Sequence, residues 1–296
     1  IGSLLSAVDT ACYRDKDKGR NRIQIFHHDD VELAQMHLEM EWVSRISKAF
    51  EEERLRLFYQ TIAPVAQRET EQGEHYEILL RMVGEDGELI PPGAFLPAAE
   101  RYNLMPSIDR WVIRTLFASY HQIAANATCS CLDTISINLS GASIGDEFFL
   151  DFIREQFTLY DVPPCVICFE ITETVAISNL QLASAFINEL KRLGCRFALD
   201  DFGSGMSSFA YLKHLDIDYL KIDGAFVRDM VNDSVDYAMV EAINQVGHVM
   251  GIETVAEFVE NDAIFAKLVE LGVDFAQGYG IHKTEPLRMI RVEKVQ

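Results

Sequence analysis

The chain has 296 residues, of which 49% are apolar and 24% charged, as in a folded globular protein. Its net charge of −20 at pH 7 argues against polymeric nucleic acid or an anionic membrane as a partner, because both require a basic surface. Six scattered cysteines and the lack of any stretch apolar enough to span a membrane predict a cytoplasmic chain with reduced thiols and no membrane contact of its own, and leave an upstream anchor open.

Residues 1–28 combine a helical apolar stripe with one short strand, which is too little to close a core alone. We therefore expect them to be the tail of an upstream domain. Residues 29–54 are rich in Glu, Met, Leu and Arg and contain no Gly or Pro, which predicts one long linker helix.

From residue 55 onward, short apolar runs alternate with amphipathic stretches of helical length. Eight such runs favour an α/β fold, a modified (β/α)8 TIM barrel, over an open doubly wound sheet. Only a polar loop at 67–74 separates the first two strands, which predicts a hairpin and hence one antiparallel strand. The predicted strands are 55–62, 75–81, 134–139, 166–171, 196–199, 219–222, 252–256 and 273–275, and the predicted helices include 108–124, 180–193 and 235–250.

Two adjacent acids, Asp200 and Asp201, follow the apolar run 197–199 and precede a glycine-containing loop. Neighbouring carboxylates repel each other, so a fold that keeps both at a strand end is expected to supply cations. Nearly all of the remaining predicted strands also have a polar residue in or just after the apolar run, and a barrel carries its catalytic groups at the carboxyl ends of its strands. These polar residues are Glu77, Asn138, Glu170, Lys221, Glu257 and Gln277. One such residue alone would most often be a cap or a satisfied core group, whereas this many in register indicate a site.

Carboxylate and amide oxygens without His or Cys predict Mg²⁺ or Mn²⁺ rather than zinc. Asp200 and Asp201 could bridge or divide two ions, an arrangement that serves displacement at phosphorus, so the residues indicate phosphodiester hydrolysis. Lys221 is expected to stay protonated and to orient the attacking water or stabilise phosphoryl charge. Glu257 could bind the second metal or accept a proton, and the pattern leaves both roles open.

A set of ordered sequence blocks carries a family resemblance. The blocks are Tyr59-Gln60, Glu77-Ile78-Leu79, Asn138-Leu139-Ser140, Glu170 through Glu173, Asp200 through Gly205, Lys221-Ile222-Asp223, Ala256 through Glu260 and Gln277-Gly278-Tyr279. On these residues the chain resembles the EAL family of cyclic di-GMP phosphodiesterases over residues 40–290, with Ile78 in place of the family's Ala. The resemblance implies a modified barrel with one antiparallel strand, hydrolysis of cyclic di-GMP to linear 5′-pGpG and a homodimer.

The resemblance also implies individual roles. The metal ligands would be Glu77, Asn138, Glu170, Asp200, Asp201 and Glu257. The catalytic residues would be Lys221, Glu257 and Asp201, and Glu173 and Ser204 would anchor the loop that presents the second aspartate. The substrate contacts would be Gln60, Arg81, Asp223, Glu260, Gln277 and Tyr279. Two divalent cations, Mg²⁺ or Mn²⁺, would be the cofactors, and the looser coordination of Ca²⁺ is expected to make it an inhibitor.

The chain departs from the family pattern at three positions. Thr61 replaces a proline, Ser204 replaces a threonine and Phe258 replaces a glycine between two acids. Ser204 keeps the hydroxyl group, whereas Phe258 is expected to narrow the pocket or restrict the backbone.

The N-terminal residues carry a second resemblance. Val8-Asp9, Ala11, Tyr13, Lys16 and Gly19-Arg20-Asn21 are similar to the closing helix and turn of a GGDEF domain. The expected organisation is a GGDEF remnant at 1–28, a linker helix at 29–54 and an EAL barrel at 55–296. Two rival functions stay open: a catalytically silent cyclic di-GMP receptor and a regulatory dimerisation module.

Overall fold

The computed structural model describes residues 31–66, 73–126, 132–203 and 209–287. The chain forms two compact units, one containing the described part of Ile1–Leu55 with Arg81–Leu104 and the other Arg56–Leu80 with the described part of Met105–Gln296. The GGDEF resemblance and Ser204 lie outside the described residues. Within the described ranges, no helix has both the length and the apolar content that crossing a membrane requires.

The first unit is built on helix α1, Val31–Glu51, in agreement with the long helix predicted at 29–54. Strand β3, Leu89–Ile90, pairs antiparallel with the end of β2, Glu74–Val83. Helix α2, Leu96–Arg101, contacts α1, and Arg101 Nη1 lies 2.9 Å from Glu39 Oε2. The role of α1 as a linker stays a prediction.

The strands of the described chain include eight that close into a barrel, in the order β1-β9-β8-β7-β6-β5-β4-β2 and back to β1. Apart from Leu55 and residues 81–83, these strands lie in the second unit. β1 runs antiparallel to β9, and the pairs from β2–β4 to β8–β9 are parallel. The predicted barrel with one antiparallel strand is confirmed. The remaining strand bounds are β1 Leu55–Pro64, β4 Leu132–Asn138, β5 Ile167–Thr172, β6 Arg196–Phe202, β7 Tyr219–Ile222, β8 Glu253–Ala256 and β9 Phe275–Ala276.

Helices follow most of the parallel strands, and side-chain caps set several of their first residues. Asn179, Asp233 and Asn261 accept backbone N–H groups in the first turns of the helices Leu180–Lys191, Ser234–Met250 and Asp262–Leu271. The helices of the second unit are α3 Met105–Asn126, α4 Gly141–Ile144, α5 Phe149–Tyr160, α6 Glu173–Ser178, α7 Leu180–Lys191, α8 Gly224–Asp229, α9 Ser234–Met250 and α10 Asp262–Leu271. A short strand β10, Glu285–Pro286, pairs antiparallel with β1.

The central residues of the parallel barrel strands are largely apolar because helices and the barrel interior cover both of their faces. Ile135, Phe169, Phe197 and Leu220, on four successive strands, are fully buried. The carboxyl ends of these parallel strands meet at one end of the barrel, which places the polar residues that end them side by side.

One strand boundary changes the interpretation of the double aspartate. β6 was predicted to end at residue 199, but it continues to Phe202. Asp200 and Asp201 therefore lie within the strand and not after it.

Candidate active site

Lys221 lies at the centre of an acidic cluster at the carboxyl ends of the barrel strands. Its side chain is 1% exposed, and Nζ lies 2.7 Å from Glu170 Oε2 and 2.9 Å from Glu257 Oε1. Asp200 Oδ1 is 3.1 Å away and Glu77 Oε2 is 3.4 Å away. The ammonium group thus joins carboxylates from β2, β5 and β6 and from the residue that follows β8.

Glu77 also accepts hydrogen bonds from neutral amides. Asn138 Nδ2 donates to Oε1 at 2.7 Å, and Gln277 Nε2 donates to Oε2 at 2.6 Å. Gln277 Nε2 lies 3.2 Å from Gln60 Oε1, and Gln60 Nε2 donates to the His282 carbonyl at 2.8 Å. The structure therefore brings residues within β1 and β2, the last residue of β4 and the residue after β9 into one network.

Asp200 and Asp201 reach the same site through a bulge. In a regular strand, adjacent side chains point to opposite faces. Here the pairing of β6 with β7 shifts register between Leu199 and Phe202, and Asp201 has a φ of 53°. As a result, ligand oxygens of Asp200, Asp201 and Glu257 all lie within 4.8 Å of one another.

Burial and charge together set the protonation of the cluster. Burial raises the pKa of Glu170 to about 8 against the opposing charge of Lys221, and it raises the pKa of Glu257 well above its usual value. Burial and nearby carboxylates raise the pKa of Asp201 to about 6. Burial acts to lower the pKa of Lys221, but the surrounding carboxylates outweigh it and raise that pKa well above its usual value. This raised pKa keeps the side chain protonated, and the role of Lys221 in the reaction stays a prediction.

The cluster fits a divalent cation. Asp200 Oδ1 is buried and accepts no hydrogen bond within the described residues, although Lys221 Nζ is 3.1 Å away. One ammonium group cannot neutralise the carboxylates around it, and hard oxygen ligands suit Mg²⁺ or Mn²⁺. Among the described residues, the oxygens of Asp200, Asp201 and Glu257 lie close enough to one another to share an ion. The ligand roles of Glu77, Asn138 and Glu170 stay predictions.

Glu173 holds the chain just after β6. Its carboxylate is buried, Oε2 accepts from Gly203 N at 3.0 Å, and Oε1 accepts from the Tyr211 hydroxyl at 2.8 Å. Burial and the neighbouring Glu173 raise the pKa of Tyr211, so that hydroxyl stays a donor. Sequence reasoning expected Glu173 to anchor this loop but missed Tyr211.

Two predicted substrate contacts, Gln60 and Gln277, lie inside the network of the cluster. Both are buried. Gln277 Oε1 accepts no hydrogen bond within the described residues, so it is a buried acceptor available to a ligand.

The other predicted substrate contacts have no hydrogen bond to the acidic cluster among those described above. Asp223 Oδ1 accepts from Ala225 N at 2.8 Å and so caps α8. Glu260 is exposed, and Tyr279 is 61% exposed. Arg81 lies in the first compact unit. The contact roles of these residues stay predictions.

Phe258 adopts a backbone conformation that favours glycine. Its φ is 52°, which agrees with the glycine that the family has at this position. The amides of Glu257 and Val259 on either side donate to backbone carbonyls at 3.3 and 2.9 Å. The backbone is therefore fixed at a position where a side chain is strained.

Asp109 is a positioning residue that sequence reasoning missed. It lies on α3 and is 4% exposed, and its Oδ2 accepts from Ser140 N at 3.0 Å, Ser140 Oγ at 2.7 Å and Ser143 Oγ at 2.6 Å. These bonds hold the chain just after Asn138. An acid on the apolar face of an amphipathic helix was the signal that could have revealed it.

Residues 43–284 match the EAL domain family. The chain is 44% identical over 284 residues to cyclic di-GMP phosphodiesterase PdeB of Shewanella oneidensis, covering 96% of this chain and 33% of PdeB. It is 37% identical over 246 residues to cyclic di-GMP phosphodiesterase PdeF of Escherichia coli, covering 83% of this chain and 32% of PdeF.

Solved structures share the fold. The FimX EAL domain of Pseudomonas aeruginosa bound to c-di-GMP matches with a TM-score of 0.75 and 28% identity, covering 83% of this chain and 96% of that domain. The chain spans about a third of the length of the curated relatives named above. On the matched residues and the shared barrel, the chain belongs to the EAL domain family.

Proposed function

We propose that this chain hydrolyses cyclic di-GMP to linear 5′-pGpG with divalent cations, Mg²⁺ or Mn²⁺. The observation that carries the proposal is the convergence of buried carboxylates on one protonated lysine, Lys221, at one end of the barrel. The relatives PdeB and PdeF, which are 44% and 37% identical to this chain, are named cyclic di-GMP phosphodiesterases, and this supports the same reaction.

Asp200, Asp201 and Glu257 would hold the cation. When bound, the cations supply charge stabilisation at the phosphoryl oxygens and activation of the attacking water. Lys221 is a protonated donor fixed by four carboxylates, so it can orient that water or stabilise the charge that develops on the phosphoryl group. Glu173 keeps the turn after Asp201 in place through Gly203.

In the proposed reaction the water oxygen bonds to phosphorus as the bond from phosphorus to the 3′ oxygen breaks. The 3′ oxygen leaves with a proton, and the product carries a 5′-phosphate. Gln277 Oε1, a buried acceptor without a partner among the described residues, is available to a donor on the substrate. The contacts of Gln60, Arg81, Asp223, Glu260 and Tyr279 with substrate belong to the same proposal.

The main alternative is a silent receptor that binds cyclic di-GMP without cleaving it. Loss of a carboxylate from the cluster would favour that alternative, but each acid that the resemblance assigns as a ligand is present in this chain. Chromatography of the product after incubation with cyclic di-GMP and Mg²⁺ separates the two functions. Linear 5′-pGpG supports the hydrolase, and binding without any product supports the receptor.

The variant Asp200→Asn provides the control for this experiment. It keeps the shape of the side chain but removes a charge from the set that would hold the cation, so we expect it to bind cyclic di-GMP without turnover. Full turnover by Asp200→Asn would contradict the assigned site.

We also propose a domain organisation, a cellular location and an oligomeric state for this chain. Residues 1–28 would be the remnant of a GGDEF domain, 29–54 the linker helix and 55–296 the phosphodiesterase, in a cytoplasmic homodimer. The relative MucR of Pseudomonas aeruginosa, named a bifunctional diguanylate cyclase and phosphodiesterase, supports the tandem organisation because it is 31% identical over 97% of this chain. The other alternative is a regulatory dimerisation module, and full turnover by this chain alone would count against it.

A further inference from the structure

Phe258 and Arg228 form a stacked pair beside the acidic cluster. The guanidinium carbon of Arg228 lies 4.0 Å from the centroid of the Phe258 ring. Phe258 directly follows Glu257, whose carboxylate belongs to the cluster, yet its side chain is 47% exposed. An aromatic ring that remains half exposed beside a charged site is a candidate contact for a ligand.

Helix α8 covers one face of this ring. Gly224 and Arg228 are four residues apart on α8 and so lie on the same side of the helix. A Cβ atom at Gly224 would lie 2.1 Å from Cδ2 of Phe258, which shows how closely the ring lies against the helix. Arg228 lies over one face of the ring, Gly224 lies against its Cδ2 side, and 47% of the side chain remains exposed.

The backbone keeps the ring in this position. Phe258 has a φ of 52°, and the amides of Glu257 and Val259 on either side are hydrogen-bonded. Strained left-handed residues persist where the surrounding structure holds them, and they cluster at ligand sites. The ring is therefore fixed before any ligand arrives.

We infer that the exposed face of Phe258 is a stacking surface for a purine base of the substrate, with Arg228 on its other face holding the ring in place. The inference rests on the proposed function, because it places a nucleotide at this end of the barrel. Bases stack readily on aromatic side chains, and a guanidinium on an aromatic face is a favourable contact. Phe258 is then a specificity-determining residue at a position where the family has glycine.

Two matched variants test the inference. Phe258→Leu keeps apolar bulk and the strained backbone but removes the aromatic face, whereas Phe258→Tyr keeps that face. The kinetic constants are measured for cyclic di-GMP and for bis(4-nitrophenyl) phosphate, a phosphodiester without a purine base, and melting curves check that each variant folds.

We expect Phe258→Leu to raise KM for cyclic di-GMP by about tenfold, as expected for one lost base stack, with a much smaller change in kcat. Phe258→Tyr should restore the wild-type KM. The ratio of kcat/KM for cyclic di-GMP to that for the base-free substrate should fall by about tenfold in Phe258→Leu, because a purely structural role of the ring would lower both activities together.

An unchanged KM in Phe258→Leu, or an equal loss on both substrates, would overturn the inference while leaving the hydrolase intact. If the wild type cleaves no cyclic di-GMP, the proposed function fails. Calorimetric measurement of cyclic di-GMP binding to the wild type and the same variants then tests whether a base stacks on Phe258. The expected Kd is about tenfold weaker for Phe258→Leu, and an equal Kd overturns the inference.

Discussion

The Nζ atom of Lys221 lies 2.7 Å from Oε2 of Glu170, and both side chains are only 1% exposed. Without the ammonium group, the buried carboxyl groups around it would lose the donor and the positive charge that offset the cost of their burial. Three further carboxylates lie within 3.4 Å of the same ammonium group. Lys221 is therefore the cation that holds the acidic cluster together before any metal ion binds.

Lys221→Met should abolish turnover and lower the free energy of unfolding by about 3–5 kcal/mol, because four carboxylates lose their common partner. Lys191→Met is a matched control, since Lys191 pairs with Asp218 at 2.7 Å and with Asp216 at 3.4 Å in a more exposed setting. The control should cost about 1 kcal/mol or less. Urea denaturation measures both values, and equal costs for the two variants would contradict the central role of Lys221.

Glu173→Gln should lower turnover by about 10–100-fold. The two oxygens of Glu173 accept one hydrogen bond each, from Gly203 N and from the Tyr211 hydroxyl, and glutamine keeps only one of these oxygens. Tyr211→Phe removes a single donor and should have a smaller effect. Glu241→Gln, a change at an exposed position on α9, provides the control for altered net charge. Steady-state kinetics with cyclic di-GMP measures all three, and wild-type turnover in Glu173→Gln would show that the loop does not need this anchor.

Phe258→Gly should be more stable than Phe258→Ala by about 1 kcal/mol, because glycine adopts a φ of 52° without strain and alanine does not. The same pair at the exposed helical position Glu241 should show the reverse order, with alanine more stable by about 1 kcal/mol. Thermal melting compares the two pairs. If alanine were the more stable residue at both positions, the backbone at residue 258 would have relaxed out of its left-handed conformation.

His75 should make the protein sensitive to acid. Burial lowers its pKa from 6.5 to about 3, so the folded chain keeps the imidazole neutral. Below pH 6.5 the unfolded chain binds a proton that the folded chain does not, and stability therefore falls as the pH falls from 6.5 toward 3, by up to about 1.4 kcal/mol for each pH unit.

The variant His75→Gln cannot titrate but can still bond to Ser136, whose Oγ lies 3.1 Å from His75 Nε2. We expect its melting temperature to fall less steeply with acid than that of the wild type. His121→Gln, at an exposed histidine, is the control for replacing an imidazole with an amide elsewhere in the chain. Parallel curves for the wild type and His75→Gln would show that His75 does not control the acid response.

The barrel and the members of the acidic cluster were predictable from local patterns. Apolar runs such as 219–222 coincide with strands, and the polar residue that ends a parallel strand must lie at the same end of the barrel as its neighbours. Lys221 and Glu170 could therefore be assigned to one site without any knowledge of their distance.

Features that depend on contacts between distant residues were not predictable. The bulge at Asp201 depends on how β6 pairs with β7, and regular alternation would have separated Asp200 from Asp201. The hydrogen bond from Tyr211 to Glu173 spans 38 residues. The sequence indicated a restricted backbone at Phe258, but the contact of its ring with Gly224 is visible only in the fold.

The most direct test of the metal-dependent site is the reaction of cyclic di-GMP with the wild-type protein in Mg²⁺, in EDTA, and in EDTA followed by excess Mg²⁺. Because Asp200, Asp201 and Glu257 offer oxygens within 4.8 Å of one another, we predict linear 5′-pGpG in Mg²⁺, none in EDTA and full recovery after Mg²⁺ is restored. Equal product in Mg²⁺ and EDTA, or no product under any of the three conditions, would contradict the account.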